Sequence, residues 1–304
     1  MNANDYLEKI LAQQTFDDDD AEMKELRTRR KEIQQILDRR FSESSPSIRW
    51  GGSVAKCTMI REAYDGDMTC YFPHDETDAG NTLAEIYDNV ANTLSGKYVI
   101  ERKTSALRVK DPSTKPSKGF AQDLHIDVVP GRFTNGDEDD VFLHRTNGDK
   151  ERLKTNLQVH IDHIRDSGVI PAIRLMKLWN TRNGIGAKTF VLELLTVKLL
   201  QGKKNASISK QLEHLWTELR DHAGSLAVED PANPSGNDLK PILDQARHRL
   251  STAAATTLSL IENSGWEAVF GKIDENSDPE GRKTALKAAA VRVVSPTKPW
   301  LPNA

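Results

Sequence analysis

A glycine-serine turn followed by two aspartates is the part of this sequence best suited to chemistry. The turn is Gly51-Gly52-Ser53, and Asp65 and Asp67 follow about a dozen residues later. Glycines allow a tight turn, and the amides and serine hydroxyl that follow can bind phosphate oxygens. Because residues i and i+2 of a strand point to one face, the two carboxylates can share a metal ion. The segment therefore predicts phosphate binding beside a divalent cation.

A third acid, Asp127, interrupts the apolar strand-like run Leu124–Val129. A buried, unpaired carboxylate is costly, and a metal ion would offset that cost. Mg²⁺ prefers oxygen ligands and commonly links carboxylates to phosphates. Three carboxylates on one face can hold two Mg²⁺ or Mn²⁺ ions, one at a sugar hydroxyl and one at a leaving pyrophosphate. We therefore predict that Asp65, Asp67 and Asp127 are catalytic and metal-binding residues of a nucleotidyltransferase.

A simpler interpretation gives these acids structural roles. Asp65-Gly66-Asp67 would then be a turn, and Asp127 a salt-bridged acid of a strand. Neither Gly-Gly-Ser nor Asp-x-Asp is specific alone. Their order and spacing together with Asp127 are much rarer, and this favours the catalytic interpretation.

Composition excludes several other classes of protein. The chain has 304 residues, 37% of them hydrophobic and 29% charged, with a formal net charge of −3. This is typical of a globular protein, and it gives no support for long DNA or RNA as a partner. Only two cysteines occur, Cys57 and Cys70, which argues against a zinc site or a disulfide framework. With neither a signal peptide nor an apolar stretch long enough to cross a bilayer, we expect a soluble, cytoplasmic protein without a membrane partner.

The first half of the chain must supply the strands that position the acids. Residues 1–45 have helical periodicity, and the acidic run Asp17–Asp20 that interrupts it is interpreted as a solvated helix start rather than a metal site. Apolar residues that share one helical face predict a helix at Thr82–Leu94. Alternating or continuous apolar residues predict strands at Asp67–Phe72, Tyr98–Glu101, Ala106–Lys110 and Leu124–Val129. Loops are expected at Pro112–Gly119 and from Pro130 to Asp140.

The second half has an almost wholly helical pattern. Helices are predicted over 155–166, 171–182, 189–201, 207–221 and 239–263. Pro171 suits a first helical turn and Asp238 an N-cap, whereas Asp230–Asp238 and the tail after Ser295 should be irregular. Trp179 and Leu192–Val197 are expected in the core, with Glu193 as a buried acid paired to a basic group. We divide the chain into a catalytic lobe, 1–150, and a helical lobe, 151–304.

Four segments carry a resemblance to a known family. The stretch from Gly51-Gly52-Ser53 to Asp65-Gly66-Asp67 resembles the active-site segment of the 2′-5′-oligoadenylate synthetases, which are grouped with the cGAS/DncV-like nucleotidyltransferases. In the helical half, the matching segments are Arg174-x-x-Lys177-x-Trp179, Leu192-Glu193-Leu-Leu-Thr-Val197 and Asp230-Pro-x-x-Pro-x-Gly-Asn237. All four occur in the family's order.

The resemblance implies a fold and a set of roles. The fold would be α+β and bilobal, of the polymerase-β type, with a small mixed sheet in the N-terminal lobe and a helical C-terminal lobe. The implied metal triad is Asp65, Asp67 and Asp127. The implied nucleotide-binding residues are Gly52 and Ser53 at the phosphates, Arg174 and Lys177 gripping the triphosphate, Thr189 near the nucleotide and Lys56 near the acceptor.

The resemblance also implies a product and partners. Bacterial members join ATP and other nucleoside triphosphates into cyclic di- or trinucleotides that activate an effector in antiphage signalling, and some are controlled by HORMA-domain proteins. The zinc-binding insertion of the animal cyclic GMP-AMP synthase is excluded here by the cysteine count.

Three alternatives remain open from the sequence. A linear polymerase or tRNA-end nucleotidyltransferase would call for a basic RNA-binding surface, which the net charge of −3 does not favour. An inactive nucleotide-binding scaffold would be expected to lack a metal ligand. Transfer of a nucleotide to a protein hydroxyl is the third, and it would need a protein substrate.

Overall fold

The computed structural model describes residues 1–112, 125–135 and 137–273. Most of the predicted Pro112–Gly119 loop, the predicted strand start at Leu124 and the tail after Ser295 lie outside these ranges.

Ten α-helices occur within the described residues. They are α1 (Ala3–Gln13), α2 (Ala21–Arg40), α3 (Gly52–Lys56), α4 (Leu83–Ser95), α5 (Leu157–Arg165), α6 (Ile170–Arg182), α7 (Thr189–Leu199), α8 (Ile208–Asp221), α9 (Lys240–Ser264) and α10 (Glu267–Phe270). The six longer helices predicted from Thr82 onward are all present, within about two residues at most ends. Pro171 does lie in the first turn of α6, where its missing N–H costs no hydrogen bond.

Seven strands form one mixed sheet. They are β1 (Ser47–Trp50), β2 (Gly66–Phe72), β3 (Val99–Arg102), β4 (Leu107–Lys110), β5 (His125–Thr134), β6 (Asp137–His144) and β7 (Arg152–Asn156). The order is β1-β2-β5-β4-β3, and β6 pairs with both β5 and β7. Only the central β2–β5 pair is parallel; every other pair is antiparallel. The predicted α+β fold is therefore confirmed.

The loop predicted from Pro130 to Asp140 is wrong over most of its length. The strand β5 continues to Thr134, and β6 begins at Asp137 and pairs back onto it. The acidic residues had indicated a loop, but later in β6 the side chains of Val141 and Leu143 are buried while Asp140 is not. Strand pairing with β5 and β7 therefore outweighs the local composition.

Two main apolar cores support the two lobes. One core packs the sheet against α2 and α4, and it includes Met68, Ile126 and Val128 beneath the predicted site. The other fills the helical lobe around Trp179 and Trp216, both fully buried. The expected core positions Trp179 and Leu192–Val197 are confirmed.

The N-terminal helix α1 packs into the core of the helical lobe. Leu7 and Ile10 belong to that core, and the Tyr6 hydroxyl donates a hydrogen bond to the Gly271 carbonyl at 2.6 Å. The next helix, α2, packs instead on the sheet. The division at residue 150 remains a prediction, but the first helix lies with the second half of the chain.

No helix among the described residues is both long enough and apolar enough to cross a membrane.

Candidate active site

The register of three neighbouring strands places the acids of the site. Asp67 on β2 lies opposite Asp127 on β5, and Asp127 lies opposite Arg108 on β4. Directly paired residues point to the same face of a sheet, so the three side chains form a row across its middle. The neighbouring residues Met68, Val128 and Leu107 are fully buried on the opposite face. The apolar core therefore fixes the direction in which this row points.

Asp65 comes one residue before β2 and faces His125, the first residue of β5. His125 Nε2 lies 3.7 Å from Asp65 Oδ2 and 3.8 Å from Asp127 Oδ1. One ligand atom from each of these three residues lies within 4.8 Å of the other two. Asp65-Gly66-Asp67 is thus the start of a strand rather than the isolated turn of the simpler interpretation.

The Gly51–Lys56 segment approaches the acids from one side. The Gly51 amide donates to the Asp67 carbonyl at 2.8 Å. Gly52 has φ +51°, and a Cβ at this position would lie 1.6 Å from Asp67 Oδ2. Only glycine fits so close to the carboxylate. Ser53 follows in α3, and its Oγ is buried without a hydrogen-bond partner among the described residues.

Like charges give the acids unequal proton affinities. Burial, together with the charges of Asp65 and Asp127, raises the pKa of Asp67 to about 7. Burial also disfavours ionisation of Asp65, but the hydrogen bond and charge of His125, with the more distant Lys177, lower its pKa overall. At Asp67, the negative charges of Asp65 and Asp127 therefore outweigh the positive charges of Lys56 and Lys177.

This excess of charge fits a divalent cation. The carboxylates of Asp65, Asp67 and Asp127 offer oxygen atoms of the kind Mg²⁺ and Mn²⁺ prefer, and His125 adds a nitrogen atom that suits transition metals more than Mg²⁺. The structure therefore brings together all three predicted acids and a histidine that was not predicted.

A buried ion-pair network joins the two lobes next to the acids. Glu193 of α7 pairs with Lys56 of α3 and accepts a hydrogen bond from Thr58 Oγ1 at 2.6 Å. Lys177 of α6 donates to the Thr58 carbonyl at 2.8 Å, and its Nζ lies 3.7 Å from Glu193 Oε1. Burial lowers the pKa of Lys177 against the opposing charge of Glu193. The expected pairing of Glu193 with a basic group is confirmed.

The residues predicted to bind the nucleotide differ in their distance from the acids and in their burial. The charges of Lys56 and Lys177 reach Asp67, where they favour its ionised form. Arg174 is instead buried against α1, with Nη2 donating to the Gln14 carbonyl at 3.1 Å and to Thr15 Oγ1 at 2.9 Å. Burial lowers the pKa of Arg174 to about 10. Thr189 is exposed at the first position of α7. Their roles at a nucleotide remain predictions.

Solved structures share this fold. CdnC of E. coli MS115-1, solved with ATP, is 20% identical with a TM-score of 0.60, over 82% of this chain and 92% of that one. CdnE cyclic dinucleotide synthase of Elizabethkingia meningoseptica, solved with GTP and Apcpp, is 13% identical with a TM-score of 0.63, over 85% and 99%. DncV cyclic AMP-GMP synthase of Vibrio cholerae, described as a prokaryotic cGAS homolog, is 18% identical with a TM-score of 0.59, over 91% and 83%.

The chain has the fold of the cGAS/DncV-like nucleotidyltransferases. At these identities the likeness establishes the fold and not the activity. No protein-family model matches the chain, and no curated protein matches it. The CdnC of E. coli MS115-1 has also been solved in a complex with HORMA-deltaN.

Two site residues were missed from the sequence, and each left a signal. Arg108 lies between Leu107 and Val109, which are both buried, so strand alternation places its side chain on the face opposite the core. His125 lies two residues before Asp127, so the same alternation places it beside that acid. Neither signal specifies a partner, because the partners come from other strands.

Proposed function

We propose that this protein is a metal-dependent nucleotidyltransferase that joins ATP and other nucleoside triphosphates into a cyclic oligonucleotide. The observation that carries the proposal is the row of acids on the central parallel strands, with Gly52 and Ser53 against Asp67. The shared fold with two cyclic nucleotide synthases, CdnE and DncV, supports it. A cyclic di- or trinucleotide would serve as a messenger in antiphage defence.

The donor nucleotide is bound by the Ser53 side of the site. The unpartnered Ser53 hydroxyl donates to a phosphate oxygen, and the narrow approach at Gly52 lets the triphosphate lie close to Asp67. Lys177 and Lys56 supply positive charge from the buried ion-pair network, and Arg174 supplies positive charge from α6. Thr189 contacts the nucleotide from the start of α7. Bound Mg²⁺ or Mn²⁺ supplies Lewis-acid stabilisation of the charge on the phosphates and on the attacking oxygen.

The reaction is an in-line displacement at the α-phosphorus of the donor. A ribose hydroxyl of the acceptor loses its proton. The carboxylate of Asp127 is the group best placed to help remove it. The hydroxyl oxygen then forms the new bond to phosphorus while the bond to the β-phosphate oxygen breaks. Asp65 and Asp67 would hold the metal ions beside the reacting phosphate, and pyrophosphate leaves. Cyclisation repeats the step with the linear product bound again, so that its own ribose hydroxyl attacks its own α-phosphorus and a further pyrophosphate leaves.

Regulation by a partner is part of the proposal. CdnC is the structural neighbour solved with HORMA-deltaN, so a HORMA-domain protein is the candidate regulator of this chain. A downstream effector would respond to the product and not to the protein.

The test is incubation with labelled ATP, GTP, CTP and UTP and Mg²⁺, followed by phosphatase and mass analysis. We expect pyrophosphate and a phosphatase-resistant product, and neither from an Asp65→Asn, Asp67→Asn double variant. A matched control is Asp221→Asn, which lies in an exposed pair with Arg220. Full activity of the double variant would refute the metal assignment.

The form of the product separates the remaining alternatives. A phosphatase-sensitive oligonucleotide would favour a linear polymerase, and labelled protein would favour transfer to a protein hydroxyl. Absence of any product, also with a HORMA-domain protein added, would favour the inactive scaffold.

A further inference from the structure

Arg108 holds both carboxylate oxygens of Asp127. Its Nε donates to Oδ1 at 3.0 Å and its Nη2 donates to Oδ2 at 3.0 Å. This two-bond geometry is the strong form of an arginine-carboxylate pair. The side chains are 26% and 15% exposed, so water shields the pair only in part.

The sheet itself enforces this contact. Arg108 and Asp127 are direct neighbours across the antiparallel β4–β5 pair. Leu107 and Val109 are 0% and 3% exposed on the other face. If β4 turned over so that Arg108 pointed to the other face of the sheet, Leu107 and Val109 would leave the core and become exposed.

We propose that Arg108 is a built-in counter-cation that competes with the divalent metal for Asp127. This inference rests on the proposed function, because it requires the acids to bind a divalent ion. A metal ion at Asp127 needs at least one of the oxygens that the guanidinium now holds. Metal binding to the nucleotide-free protein is therefore weakened by the cost of displacing Arg108.

Charge explains why such a competitor suits this site. With all three acids ionised, as they would be when a cation binds, the carboxylates and one guanidinium leave a net charge of about −2, which two divalent ions alone would overcompensate. A triphosphate brings further negative charge, which both the ions and a released guanidinium can neutralise. Arg108 thus favours arrival of metal together with nucleotide over binding of metal alone.

The experiment measures Mn²⁺ binding to metal-stripped, nucleotide-free protein by the electron paramagnetic resonance of free Mn²⁺. Arg108→Gln is expected to tighten Mn²⁺ binding by about tenfold, the scale of one lost charge-assisted contact. The matched control is Lys110→Gln. Lys110 lies on the same strand and face, but its Nζ pairs with Glu101 at 3.4 Å. Its loss should change binding by about twofold or less, since exposed charges are screened.

A charge-preserving variant distinguishes the two-bond contact from bulk charge. Arg108→Lys keeps the positive charge without the planar pair of donors, so we expect Mn²⁺ affinity between those of the wild type and Arg108→Gln. This variant also provides a test if Arg108→Gln does not fold, as judged by circular dichroism.

Two failures have different meanings. Unchanged or weaker Mn²⁺ binding in folded Arg108→Gln, or in Arg108→Lys where the Gln variant does not fold, would overturn the role of Arg108. Unchanged Mn²⁺ binding in the Asp65→Asn, Asp67→Asn variant would instead remove the metal site, and with it the proposed function.

Discussion

At the scale of single residues, the candidate site depends on two kinds of close approach. The backbone at Gly52 meets the Asp67 carboxylate where no side chain fits. Burial of Asp67, together with the nearby charges of Asp65 and Asp127, also raises its pKa to about 7. The second approach costs free energy in the metal-free protein, and binding of a cation would relieve that cost.

The approach at Gly52 gives a test with a matched control. Gly52→Ala should displace Asp67 and reduce activity by about 100-fold, the scale of a 1 Å misplacement. Gly184 has φ +58°, and a Cβ added there would meet no atom within 4 Å, so Gly184→Ala carries a similar backbone strain without the clash. Pyrophosphate release and Mn²⁺ binding should fall only in Gly52→Ala. Equal losses in both variants would show that backbone strain, not the clash, is responsible.

The raised pKa of Asp67 gives a pH dependence. Its ordinary value is 3.8 and its value in the fold is about 7, so the fold favours the protonated acid. This contribution to stability is complete below about pH 4 and is lost as the pH rises through 7. In EDTA, Asp67→Asn should therefore unfold at a higher temperature than the wild type, and the difference should grow from pH 5 to pH 8.

The control for that measurement is Asp244→Asn. Hydrogen bonds and charges of Lys240 and Arg247 lower the pKa of Asp244, so removing its carboxylate should give no gain at pH 8. If Asp67→Asn shows no pH-dependent gain in thermal unfolding, burial and like charge do not raise the pKa of Asp67 in the fold.

Residue types and spacing were enough to find the three acids but not their partners. Asp65 and Asp67 are close in sequence, and Asp127 stood out as one acid in an apolar strand. Arg108 and His125 became visible only with the strand register, because hydrogen bonding between β4, β5 and β2 decides which side chains meet. Periodicity indicates the face of a strand and not its neighbour.

At the scale of elements, the short helix α3 is tied to the helical lobe by buried charge. Glu193 is 1% exposed, and Lys56 and Lys177 are 8% and 5% exposed. Glu193 lies between two buried cations. Burial raises the pKa of Glu193, but Lys56 and Lys177 outweigh it and lower the pKa overall.

Removal of the central acid should therefore be costly. Glu193→Ala leaves two buried ammonium groups without their counter-ion, and we expect a loss of about 3–5 kcal/mol in the free energy of unfolding by urea. Glu218→Ala, which removes a surface partner of His222, should cost about 0–1 kcal/mol. A loss below about 1 kcal/mol for Glu193→Ala would mean that water reaches the network.

Most elements could be predicted because their apolar periodicity is strong. The helices α4, α5 and α8 follow this pattern closely, whereas β6 starts with acidic residues that alone indicate a loop. β6 is held by pairing with the consecutive strands β5 and β7, which composition does not show, so composition gave the wrong answer there.

At the scale of the whole molecule, the first helix stabilises the distant half of the chain. Ile10 of α1 is 1% exposed within the helical-lobe core, and Asn4 Oδ1 accepts a hydrogen bond from the Ser209 amide at 3.1 Å, just inside the start of α8. The sequence shows that α1 is amphipathic, but not which lobe it covers.

Because α1 packs in the helical lobe, we predict that a substitution in α1 destabilises helices far away in the sequence. Ile10→Ala should lower the free energy of unfolding by about 2–5 kcal/mol, as for other large-to-small core substitutions. Amide hydrogen exchange should become faster in α8, about 200 residues away in sequence. Leu260→Ala, at a position 37% exposed, should have little effect. Faster exchange confined to the sheet would place α1 on the other lobe.

The placement of α1 also means that, within the described residues, the chain passes between the lobes at least twice. One passage lies between α1 and α2, and the other between β7 and α5. A body attached at two points can swing about the line through them, but it cannot twist freely as it could on one tether. Movement of one lobe against the other is thereby restricted, and a single proteolytic cut in either connection would leave the two halves covalently joined.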